Sequence, residues 1–153
     1  MKNAMKSILA LILALAMIFS LAACAAIDSI AEPLTEKIEE MLACYIAGDE
    51  EGSYALFYPG TLEEDAYHDI FLQICDYFPI TEGYSLSVMN ATTSTGIGSG
   101  AVTTMQGQYQ VEFDGAVYYL FVAHVSDTSG SGFRSFRIVS KAEYEGLQVG
   151  SRS

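Results

Sequence analysis

The chain has 153 residues, with 19 acidic side chains against 7 basic ones and a formal net charge of −12. That balance excludes nucleic acid and anionic headgroups as partners: both need a basic stripe, and Arg134, Arg137 and Lys141 make only a local cluster. The length suits one ordinary domain, long enough to bury a core without staples.

In chain order, Lys2 and Lys6 give a basic start, Ile8–Phe19 an unbroken apolar run of 12 residues, and Ala22-Ala23 a small-residue approach to Cys24. These parts make a secretory signal peptide over 1–23. Its last four residues, Leu21-Ala22-Ala23-Cys24, resemble the lipobox of bacterial lipoproteins. The resemblance implies a diacylglyceryl group on the Cys24 sulfur, cleavage before Cys24, and attachment to the extracytoplasmic face of the bacterial cell membrane. Each buried methylene contributes about 0.8 kcal/mol, so one acyl chain holds marginally and two hold stably. The competing reading is an uncleaved anchor helix over Ile8–Ile27, with the same topology. Cleavage would leave 130 residues with five basic and nineteen acidic side chains, a net charge of −14.

Residues 24–32 read as a tether, 33–140 as an α+β domain and 141–153 as a polar tail. Pro33, tolerated in a first helical turn, opens a helix that Gly48 ends. Leu34, Ile38, Met41, Leu42 and Tyr45 fall on one face of it, with Glu36, Glu39 and Glu40 opposite. Asp49 caps a short second helix, closed by Pro59-Gly60. Thr61 and Glu64 form a T-x-x-E capping box for a third helix that runs to Phe78, with Tyr67, Ile70, Phe71, Ile74 and Phe78 inward. The acidic Glu63, Glu64, Asp65 and Asp69 suit the positive end of that helix dipole.

After Pro79 the period changes to two. Residues 84–92 alternate, TSTGIGSG turns, and MQGQYQVEFDG places Met105, Gly107, Tyr109, Val111 and Phe113 on one face, with Gln106, Gln108, Gln110 and Glu112 on the other. The glycines of TSTGIGSG are no phosphate cradle, since no helix follows them. Asp114-Gly115 is a favoured two-residue hairpin turn, and AVYYLFVAHV reads as a central strand. A last strand covers 133–140.

Helices with one apolar face and a sheet with one apolar face can cover each other, giving two or three N-terminal helices on a curved antiparallel sheet of about four strands. This order, together with YIAGDEEGSYALFYPG, is similar to the opening of the nuclear transport factor 2-like superfamily, cones of curved sheet around a long helix. The resemblance covers 33–140 and carries no catalytic motif.

The two-residue turn pairs Met105 with His124, Tyr109 with Leu120 and Val111 with Tyr118. His124 therefore faces the helices, and with Tyr109, Tyr118 and Met105 it is the candidate lining of a ligand site, with room left by Gly107. The other reading of His124 is a structural side chain bonded to a tyrosine or a carbonyl. Enzymes of the superfamily are isomerases, dehydratases and cyclases that work with a carboxylate or an Asp–His pair. Here only Asp69 or Asp76 could approach His124, so the reading is a non-catalytic module without cofactor, and isomerase or dehydratase chemistry at His124 is the alternative.

Cys44 and Cys75 either form a disulfide, worth about 3–4 kcal/mol in the chain-entropy model, or stay as half-buried thiols on separate helices. With His68 they lack the close-spaced ligand pair that structural zinc prefers. The expected partners are the membrane, through Cys24, and a small apolar molecule, an envelope protein or a second copy. Gln106, Gln108 and Gln110 beside Tyr119, Phe121 and Val125 form the candidate partner face.

Overall fold

The computed structural model describes residues 29–98 and 100–150. The expected signal peptide over 1–23 and Cys24 lie outside the described residues. Among the described residues no helix is long and apolar enough to cross a membrane.

Helix α1 covers 29–47, and its apolar stripe of Leu34, Ile38, Met41, Leu42 and Tyr45 is buried throughout. Residues 29–32, expected as tether, are already helical, and Ala31 is buried, so Pro33 lies within the helix rather than opening it. Gly48 takes φ 68° after the last turn, a conformation that costs glycine no steric penalty. Asp49 caps α2 (Glu50–Ala55) by accepting from Gly52 N at 2.9 Å.

Helix α3 spans Glu64–Tyr77, and its N-cap is Glu63 with no side-chain cap bond. The Thr61–Glu64 box is not formed. The Thr61 amide instead donates to the Tyr58 carbonyl at 3.0 Å in a turn, and its Oγ1 is buried without a partner.

Four antiparallel strands follow, β1 (Ser85–Gly96), β2 (Val102–Phe113), β3 (Ala116–Asp127) and β4 (Gly130–Ser140), adjacent in sequence order in an unclosed, curved sheet. The β2–β3 register is Met105 to His124, Tyr109 to Leu120 and Val111 to Tyr118, set by Asp114 at φ 49° and Gly115 at φ 76°. Both central turn residues have positive φ, as the right-twisted hairpin requires. Tyr109, Val111, Leu120, Val122 and Phe133 meet α1 and α3 in one core. The chain is thus an α+β arrangement with helices packed on a curved sheet.

Two features shape the sheet's outer edge and face. Beside β4, Phe133 N donates to the Leu56 carbonyl at 2.8 Å and Tyr58 N to the Phe133 carbonyl at 3.0 Å, so a short piece of chain is laid parallel along that edge. Arg134 is unpaired at the bulge between Ser135 and Phe133, and its guanidinium sits 4.3 Å from the Tyr58 ring centre. The segment expected as a polar tail forms a further helix, α4 (Lys141–Gly150). Ser140 and Glu143 are its reciprocal cap: Ser140 N donates to Glu143 Oε2 at 2.9 Å, and Glu143 N to Ser140 Oγ at 3.4 Å.

Candidate functional site

His124 points to the inner face, as its register demands, and is 5 % exposed. Its ring stands edge-on to Phe133, with centres 5.3 Å apart, opposite Met105 on β2. Nδ1 is buried with no hydrogen-bond partner, so the expected bond to a tyrosine or a carbonyl is not made there. The charged groups that act on the ring are Lys37 and Glu40 of α1, which pair with each other at 3.0 Å. Burial, aided by Lys37 and opposed by Glu40, holds the imidazole pKa below its ordinary value, which favours the neutral ring. Asp69 and Asp76 stay exposed on α3 and give it no hydrogen bond.

The other residues of the expected pocket do not gather round His124. Tyr109 is fully buried, with its hydroxyl 3.2 Å from Thr35 Oγ1 and donating to the Ala31 carbonyl at 3.5 Å. Its ring fills the space over Gly107. A β-carbon there would sit 2.5 Å from Tyr109 Cε2 and 2.9 Å from Leu34 Cδ2. The room expected beside Gly107 is therefore occupied. Tyr118 lies six residues from His124 on the same strand, about 20 Å away at the usual rise. There it stacks on Phe113 at 5.5 Å, meets Phe78 edge-on at 4.9 Å, and donates to the Tyr77 carbonyl at 3.1 Å. Met105 alone of the three neighbours His124. The inner face is a packed wall at these residues and not a shared ligand cavity.

A buried polar cluster joins the helices. Tyr67 donates to Ser53 Oγ at 2.9 Å, and Ser53 donates to the Glu50 carbonyl at 2.8 Å. The Tyr45 hydroxyl lies near enough to Tyr67 for each to act on the other's proton, yet it has no partner within hydrogen-bond distance. Its pKa is raised, first by burial and then by Tyr67. Cys44 and Cys75 are free thiols, half-buried, with pKa values raised chiefly by burial, so no disulfide joins them. Nearer the surface, His68 Nδ1 meets Glu50 Oε2 at 2.9 Å, a contact that raises the histidine pKa. Among the described residues no three His, Cys, Asp or Glu side chains converge to hold a metal.

The outer face is different. A groove of about 370 Å³ crosses all four strands, from Asn90 and Thr92 on β1 over Gln106 and Gln108 to Phe121 and Ser135. Every residue lining it is uncharged. Helix α4 walls one side of this face. Tyr144 stacks on Tyr119 at 4.0 Å, approaches Phe121 at 6.2 Å, and accepts from Gln108 Nε2 at 3.0 Å. Tyr144 is the residue missed in the sequence, although Ser140-Lys141-Ala142-Glu143 carries the S-x-x-E signature of a helix start that would have placed it. A second groove of about 360 Å³, more apolar, runs between α3 and β4 past Ile70, Ile74, Tyr77, Phe136 and Ile138. Neither groove is lined by Met105, Tyr109, Tyr118 or His124.

No protein-family model, no curated protein and no solved structure matches this chain.

Proposed function

We propose that the chain is a lipid-anchored, extracytoplasmic, non-catalytic binding module whose working surface is the outer face of its sheet. The leader ending Leu21-Ala22-Ala23-Cys24 supports the anchoring. The single observation that carries the choice of surface is the ring of Tyr109 over Gly107, which fills the inner wall at the expected site, whereas the outer face keeps an open groove across all four strands; the groove between α3 and β4 lies clear of Met105, Tyr109, Tyr118 and His124. General acid–base work needs two groups within reach of each other, and the groups acting on His124 are a lysine and a glutamate already paired together.

A photo-crosslinking residue at Gln106 in the full membrane-borne chain tests this reading, with the same residue at the exposed Glu36 of α1, which lines neither groove, as control. Gln106 should yield a discrete adduct of higher mass and Glu36 none; equal labelling at both sites, or none at Gln106, removes the reading. Intact-mass analysis of the same preparation should show a diacylated N-terminus at Cys24, and an unprocessed Met1 would end the anchoring claim.

A further inference from the structure

We infer that the outer groove binds an uncharged glycan chain, a deduction that rests on the outer face being the working surface. The first argument is charge. In a chain with 19 acidic and 7 basic residues, every side chain lining the groove is neutral. The one cation bordering it is Arg137, the partner of Phe121 on β4, and Glu143 lies near enough to feel its charge, so an anionic ligand meets a guanidinium already offset by a carboxylate; nucleic acid or anionic headgroups would be repelled by the surrounding protein.

The second argument is the kind of polar group present. Asn90, Gln106 and Gln108 are amides, and Thr92 and Ser135 carry hydroxyls. Amides and hydroxyls each donate and accept, so they match a ligand whose own groups do both, as sugar hydroxyls do. A purely apolar occupant would strip these groups of water and return no hydrogen bonds.

The third argument is the aromatic element. Phe121 is half-buried in the middle of the groove and offers a flat apolar surface among the amides. Sugar rings have the same division, apolar C–H faces and hydroxyl rims, so the ring would carry the face while the amides meet the rim. Tyr144 extends the aromatic strip from α4, and Gln108 holds its hydroxyl in place.

The groove's reach favours a polymer. It crosses from β1 to β4, three strand spacings or about 14 Å. Its volume of about 370 Å³ is at the low end for small-ligand sites, and it is an open trough, which suits a segment of a longer strand better than a small sugar held on all sides.

The test is co-sedimentation of the full chain, in detergent micelles, with insoluble chitin, cellulose and amylose. The expected result is retention on at least one of them, displaced by the matching hexasaccharide but not by its monosaccharide. Phe121→Ala and Gln106→Glu should each weaken retention at least tenfold. Because Phe121 is half-buried, Gln106→Glu on the exposed surface is the variant that keeps the fold unquestioned, and a matching melting temperature confirms it. Failure of all three polysaccharides to retain the chain overturns the inference, as does retention unaffected by Gln106→Glu. Dimerisation abolished by Gln106→Glu, without any retention, would assign the face to a second copy instead. A crosslinked adduct at Gln106 combined with no polysaccharide binding would sink the glycan alone and leave the outer-face reading standing.

Discussion

The ring of Tyr109 lies directly over Gly107, two residues back on the same strand, and takes the volume that a side chain would need there. One residue's missing side chain is thus the other's packing site, and the tyrosine hydroxyl reaches Thr35 and Ala31 on α1. Gly107→Ala forces the ring or Leu34 to move. The expected loss is about 1–3 kcal/mol, the usual cost of overpacking, read as a lowered urea midpoint. An unchanged midpoint would mean that the ring moves away without cost.

His124 makes stability depend on pH in a definite direction. Its folded pKa lies below its unfolded one, so the unfolded chain takes up a proton that the folded chain refuses. The neutral ring's contribution is complete above the ordinary histidine pKa of about 6.5 and is lost as pH falls below it toward the folded value. Chemical denaturation from pH 8 to pH 5 should show this decline, and His124→Leu should flatten it. His68, raised by Glu50, acts in the opposite sense, so a His68→Gln background isolates the effect.

Tyr45 and Tyr67 should respond oppositely to loss of a hydroxyl. Tyr45→Phe removes a buried group that has no partner and should leave stability unchanged or raise it by about 1 kcal/mol. Tyr67→Phe removes the donor to Ser53 and should cost about 0.5–1.5 kcal/mol. A loss in both variants would show that the two phenols are bonded in solution.

Glu143 holds α4 in place. Its carboxylate accepts from Ser140 N and Ser140 Oγ, and Tyr77 donates to it from α3. These bonds, the Tyr77 one foremost, keep its pKa below the ordinary value. The carboxylate is therefore stabilised at neutral pH, and the cap is lost only as pH falls through that lowered pKa. Glu143→Ala should speed hydrogen exchange across 141–150 at pH 7 while the strand amides keep their protection. Unchanged exchange in α4 would show that the stack of Tyr144 on Tyr119 suffices to hold it.

Much of the architecture was legible because it rests on short-range rules. Asp114-Gly115 sets the hairpin register, and from that follow the inward direction of His124 and the partition of Gln106, Gln108 and Gln110 to the other face. The stripe from Leu34 to Tyr45 likewise declares the buried side of α1. The candidate site was less legible, since sharing a face does not put residues together: Tyr118 and His124 point the same way from opposite ends of one strand. Competing cap signals were equally misleading. Thr61-x-x-Glu64 and Ser140-x-x-Glu143 have the same local grammar, but the tight turn from Tyr58 to Thr61 takes the first away from the helix start. Whether a glycine leaves a hole depends on which large neighbour folds over it, and that is a property of the packed core.

The short stretch laid against β4 governs how copies of this protein can join. A ribbon that grows without end needs a free border on each side, and here one border is already engaged at Phe133 by main-chain bonds from Leu56 and Tyr58. That engagement is a single bridge near the start of β4, while the border of β1 carries none among the described residues, so two molecules pairing through β1 would join symmetrically.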